Sequence, residues 1–100
     1  MSKKNNGTFT ISQKAFNDIA NIACSHINNI YPVKKDDDFA ECKFNKEKEL
    51  TVEVALRVKQ GIDIVKVCNK IQTEIKDNIY IMTGEEVKSV NIDIQGFEKN

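Results

Sequence analysis

Ten residues in the middle of the chain restrict its fold more than any other stretch. Leu50, Val52, Val54, Leu56 and Val58 alternate with Thr51, Glu53, Ala55, Arg57 and Lys59. Successive side chains of a strand point to opposite faces, so this run is a strand with one apolar face and one polar face. Such a strand demands a sheet that is covered on one side and open to water on the other.

The neighbouring segments supply the rest of that sheet and its cover. Ala40, Cys42 and Phe44 alternate with Glu41 and Lys43, and the polar turn Asn45-Lys46-Glu47-Lys48 joins them to the long strand, which predicts an antiparallel hairpin. Val90, Ile92 and Ile94 alternate with Ser89, Asn91, Asp93 and Gln95, a further strand ending near Gly96-Phe97. Thr8-Phe9-Thr10-Ile11 is a shorter alternation and predicts an opening strand. Between these lie two helical patterns. Ala15, Phe16, Ile19, Ala20, Ile22, Ala23, Ile27 and Ile30 recur at three- and four-residue steps, behind Ser12 as N-cap or Thr10 with Gln13. Asn28-Asn29 and Pro32 end that stripe. Asp63 opens a second helix with the stripe Ile64, Val67, Cys68, Ile71, Ile75, Ile79 and Met82, and Gly84 stands where the chain leaves it. Many of these residues are β-branched, so this helix depends on packing.

The predicted order is β-α-β-β-α-β. The fold class is α+β, a two-layer sandwich with two helices on one face of a four-stranded, mainly antiparallel sheet. Its expected core includes Phe16, Ile19, Val52, Val54, Leu56, Ile71, Ile75 and Ile92. The chain has 100 residues, 40% of them apolar and 30% charged, which fits a single domain over 1–100 with 1–6 as a flexible lead. No apolar run approaches the ~20 residues of a membrane span, so direct insertion is not expected. Met1 to Gly7 carries charge but no apolar stretch, which does not read as a secretory signal. Three cysteines with no Cys-x-x-Cys pair read as reduced thiols, and hence as a cytoplasmic protein.

Fifteen basic and fifteen acidic residues cancel, and no segment is polybasic. That argues against nucleic acid, as does the absence of aromatics among the outward residues of the long strand. His26, the one histidine, sits at the edge of the first helical stripe and reads as structural. Cys24, Cys42 and Cys68 fall in apolar patterns and read as small buried hydrophobes. With His26 they make a Cys3His set by count, yet no pair has the spacing of a structural zinc site. Asp36-Asp37-Asp38 follows two lysines and reads as a solvated loop, since a calcium loop spaces its ligands and places a glycine among them. Gly61 is a single glycine, not a phosphate loop. No catalytic, cofactor-binding or metal-binding residue is assigned.

One resemblance extends along almost the whole chain. Gly7-Thr8 with Ile11-Ser12, then Ile19-Ala20-Asn21-Ile22-Ala23, the long strand with Gly61-Ile62, and Ile71-Gln72 with Ile75 all have counterparts in a known pattern. Its most specific part is Met82-Thr83-Gly84, Val87, Val90-Asn91-Ile92, Ile94 and Gly96. The chain resembles the alkaline-shock proteins, envelope-stress proteins of Gram-positive bacteria. It departs from them after the first helix, where Asn28-Asn29-Ile30-Tyr31-Pro32 and the aspartate-rich loop replace a Pro-Gly-Val turn. The resemblance implies a non-enzymatic cytoplasmic scaffold that self-associates, sits near the membrane through an anchored protein partner, and serves envelope homeostasis. It implies no cofactor. Two other readings are a nucleic-acid-binding module and an accessory regulator of lipid or acyl metabolism. The expected self-association surface is the uncovered sheet face, Glu53, Arg57 and Lys59 on the long strand with Asn91 and Asp93 on the last, where Arg57 or Lys59 would meet Glu53 or Asp93 of a second copy in a two-fold dimer.

Overall fold

The computed structural model of the chain describes residues 10–99. Its elements are α1 (Gln13–Ser25), β1 (Ile30–Pro32), a 3-10 turn (Lys35–Asp37), β2 (Ala40–Phe44), β3 (Leu50–Lys59), α2 (Ile64–Thr83) and β4 (Val87–Glu98). The long alternating run is β3, and it is the centre of the sheet. All three other strands pair with it. β4 runs parallel to β3, with Val52 beside Val90 and Val54 beside Ile92. Parallel neighbours need a crossover, and α2 supplies it. β2 and β1 are both antiparallel to β3. β2 pairs with its first half, Ala40 beside Val54, and β1 with its second half, Ile30 beside Val58. Because β4 lines one edge of β3, β1 and β2 share the other. They form one interrupted strand, with Val33 to Phe39 looping out between them. Asp36 and Asp37, both at positive φ, turn that loop, and the Phe39 carbonyl rejoins β3 by accepting from the Ala55 N–H at 3.0 Å.

The helices cover one face. Leu50, Val52, Val54, Leu56 and Val58 are all buried against Phe16, Ala20, Ala23 and Cys24 of α1 and Ile71, Ile75 and Ile79 of α2. Local chemistry sets the ends of both helices. Ser12 Oγ accepts from the Ala15 N–H at 3.1 Å, so Ser12 and not Thr10 caps α1. Asp63 Oδ1 accepts from the Lys66 N–H at 3.1 Å. Gly84 ends α2 at φ 80, a conformation that costs a side-chain-bearing residue free energy. In the turn between β2 and β3, Asn45 Oδ1 accepts from the N–H groups of Glu47 and Glu49, both at 2.9 Å. The expected two-layer α+β sandwich is the fold adopted, and two of its three strand pairings are antiparallel.

The order of elements differs from the expected one at its start. Thr8 and Phe9 lie outside the described residues, and Thr10 and Ile11 belong to no strand. The residues before β2 supply the remaining strand, Ile30–Pro32, in a segment the sequence pattern assigned to the end of the first helix. α1 stops at Ser25, and Asn29 at φ 72 turns the chain. Pro32 is tolerated there because an edge strand can lack a donor. The core is also narrower than the stripes suggest. Ile19 and Ile92 are partly buried against the cluster rather than inside it. Ile22 is exposed because, at ~100° per residue, it is turned far from the arc of Phe16, Ala20 and Ala23. Met82, on the last turn of α2, is exposed as well.

Candidate association surface

The register of β3 with β4 brings the five expected surface residues onto one face. Glu53 stands beside Asn91, Ala55 beside Asp93 and Lys59 beside Glu98. Among the described residues, four of the five side chains are paired within the chain, Lys59 being the exception. Asn91 Nδ2 donates to Glu53 Oε2 at 3.0 Å, and Gln95 Nε2 donates to Asp93 Oδ2 at 3.0 Å. The Arg57 guanidinium forms a 2.8 Å ion pair with Glu98. A shift of register between Leu56 and Val58 makes this possible. β4 inserts an extra residue, which leaves Gly96 beneath Arg57. A Cβ at Gly96 would lie 3.6 Å from Arg57 Nε, in ordinary contact. The open face is therefore polar and largely paired within itself, with Tyr31 of β1 an exposed aromatic on it.

The two edges of the sheet are built differently. At β2, two asparagines one helical turn apart on α1 bond the outward backbone. Asn21 Oδ1 accepts from the Phe39 and Ala40 N–H groups, while its Nδ2 donates to the Ala40 carbonyl at 3.0 Å. Asn17 Oδ1 accepts from the Cys42 N–H at 2.6 Å. The sequence pattern assigns neither of them this role. The available signal was the spacing of Asn17 and Asn21, four residues apart beside the apolar stripe, where side chains share a helix face. At β4, the parallel register turns the N–H and C=O groups of Val90, Ile92 and Ile94 away from β3. Of these, the Val90 carbonyl accepts from Gln72 Nε2 of α2 at 3.2 Å.

The remaining candidates are placed as follows. His26 is exposed at the end of α1. Cys24, Cys42 and Cys68 are free. Burial pushes the Cys24 thiol up to about 12, helped by the nearby Cys42, and the Cys42 thiol up to about 11, helped by Glu41. Burial raises the Cys68 thiol too. Thiols held protonated in this way are poor nucleophiles at neutral pH. Among the described residues, no group of three or more His, Cys, Asp or Glu side chains is placed to hold a metal ion. No helix among them is long and apolar enough to cross a membrane.

The sequence signature of the alkaline shock proteins, a family of cell envelope-related function, matches residues 41–99. No curated protein and no solved structure matches the chain. The matched stretch begins inside β2 and ends just after β4, so it holds β3, α2 and β4 complete.

Proposed function

The chain belongs to the alkaline shock protein family, whose function is cell envelope-related, and from that premise we propose that it is a non-enzymatic scaffold. In this reading it works on the cytoplasmic side of the envelope. It associates with itself and with a membrane-anchored protein, and it needs no cofactor. Its partner meets the open sheet face around Glu53, Arg57, Lys59, Asn91 and Asp93. One observation supports the reading above others. The family signature holds complete the two strands, β3 and β4, that carry the five surface residues of the uncovered face.

The face is polar, with Arg57 paired to Glu98 and the Glu53 and Asp93 carboxylates bonded to amides, so docking on it depends on exchanging exposed polar contacts. Such contacts are weak singly and screened by salt. A reversible, salt-sensitive association at the envelope follows. Cell fractionation tests it. The protein should sediment with the envelope fraction, leave it on moderate salt, and show no affinity for protein-free lipid vesicles. Arg57→Glu should reduce envelope association while leaving the fold intact. A parent protein found wholly away from the envelope, or one that binds bare vesicles as well as it binds envelopes, contradicts the proposal.

A further inference from the structure

The self-association in the reading above requires a seam, and the two edges of the sheet differ in their fitness to provide one. Unpaired edge strands invite pairing with another chain, and proteins that stay monomeric blunt them with lysines, prolines or covering groups. Over Phe39 to Cys42 the β2 edge is covered, since Asn21 bonds the Phe39 and Ala40 N–H groups and the Ala40 carbonyl and Asn17 bonds the Cys42 N–H. The β4 edge is long and carries neither Lys nor Pro from Ser89 to Glu98. On the described residues β4 pairs with β3 alone.

We infer that β4 is the seam of a two-fold dimer, in which the β4 strands of two copies of this chain pair antiparallel about Ile92. A second copy suits this edge because the sequence is complementary to its own reverse around that residue. Pairing about Ile92 sets Val90 opposite Ile94 of the other copy on the covered face. On the open face it sets Asn91 opposite Asp93 of the other copy, amide against carboxylate. A seam centred one residue later would set Asp93 against Asp93, and like charges directly opposite are unfavourable. Ile92 would exchange both of its backbone hydrogen bonds with its own copy, as the outward groups of this register require.

An independent feature of α2 agrees with this symmetry. Gln72, bonded to the Val90 carbonyl, marks the side of α2 that flanks the edge. At ~100° per residue, Val65 lies ~20° and Tyr80 ~80° from Gln72 around the helix, one near each end, and Tyr80 stands beside Val87 at the start of β4. Both are exposed, Val65 to 70% and Tyr80 to 55%. An antiparallel arrangement of two α2 helices about Gln72 brings Val65 of each copy to Tyr80 of the other. Two side chains that are mostly exposed among the described residues thereby gain cover. The sheet becomes continuous across the seam, and the open face doubles in extent without being covered.

The seam can be mapped by paired cysteines. Asn91→Cys and Asp93→Cys, each combined with Cys68→Ala, are mixed under mild oxidation. Residues opposite one another at a non-hydrogen-bonded position have Cα atoms ~4.5 Å apart, within disulfide range. The mixture should cross-link several-fold more than either variant alone. Val65→Asp, at an exposed site, should weaken dimerisation at least about tenfold while leaving the melting temperature of the dilute, monomeric protein unchanged. Equal cross-linking in mixed and unmixed samples, or Asn91→Cys joining best to itself, overturns the seam. So does a dimer indifferent to Val65→Asp. A parent that sediments as a monomer at high micromolar concentration overturns the self-association as well. A dimer that fails only the cross-linking test keeps the self-association and loses this seam.

Discussion

The two edges of this sheet carry the same backbone chemistry and treat it in opposite ways. At the β2 edge, Asn17 and Asn21 reach down from α1 and bond the Phe39, Ala40 and Cys42 amides. At the β4 edge, α2 contributes one such bond, from Gln72 to the Val90 carbonyl. The difference follows from the helices. A side-chain amide both donates and accepts, so an asparagine pair one turn apart can imitate a missing strand. α2 instead reaches its edge with Gln72 and leaves Val65 and Tyr80 exposed near its two ends, a partly apolar set suited to covering by a partner. An edge that is closed by the chain's own side chains is finished. One that is left open beside exposed apolar residues is a place for association.

The largest expected effect tests the strand both edges share. Val54 is 2% exposed and lies beside Ala40 on one side and Ile92 on the other. Val54→Asp buries an unpaired charge and creates a misfit in the core, and the cost of about 5 kcal/mol equals the whole stability of a marginal small domain. Circular dichroism should find this variant unfolded at room temperature. A parent-like melt would remove the frame on which the comparison rests.

Asn21→Ala breaks the closed edge alone. It strips two N–H groups and a carbonyl of their partner, at about 2–3 kcal/mol by the cost of unsatisfied backbone groups. Asn17→Ala, which frees the Cys42 N–H, should cost about 1 kcal/mol. Denaturant unfolding measures both. Asn21→Ala should also gain a tendency to aggregate, because it exposes a second edge.

The thiols on the closed side sharpen the comparison through pH. Cys24 and Cys42 have folded values raised by burial to about 12 and about 11 from an ordinary 9.0. The unfolded chain releases these protons first. Their contribution to stability is therefore whole below about pH 9 and is lost as pH rises through the folded values. Thermal melts of the parent should fall across that window, and a Cys24→Ala, Cys42→Ala variant should fall less steeply. At neutral pH a thiol reagent should label half-buried Cys68 before either of the others.

The smallest effect belongs to the open face. Arg57→Ala removes a 2.8 Å ion pair with Glu98, but both side chains are more than a third exposed. Stability should change by no more than about 0.5 kcal/mol. A larger loss in urea unfolding would mean that the face is structural and not a surface held for association.

Much of this arrangement was legible in the amino-acid order. The alternation from Leu50 to Val58 and from Val90 to Ile94 fixed which residues face the helices, since a one-residue slip would reverse every side chain. Ser12, Asp63 and Gly84 mark helix ends by local bonds that a sequence can reveal. β1 was illegible for a physical reason. Three residues including a proline have no alternation to read, and they become a strand by lying against Leu56 to Val58. The asparagine clasp was hidden likewise. Asn17 and Asn21 look like neutral helix-surface residues until the loop from Val33 to Phe39 brings β2 beneath them. The five surface residues share one face, as the alternation predicts, but the pairing of Arg57 with Glu98 depends on an extra residue in β4 that periodicity does not show.

Backbone amide exchange, followed residue by residue at low and high protein concentration, tests the contrast between the edges most directly. Ala40 and Cys42 should exchange slowly at every concentration, because α1 protects them within the single chain. Ile92 and Ile94 should exchange quickly when the protein is dilute and slowly when it is concentrated, as a second β4 strand closes over them. Slow exchange at Ile92 and Ile94 in dilute protein, or exchange there that ignores concentration, would contradict the account.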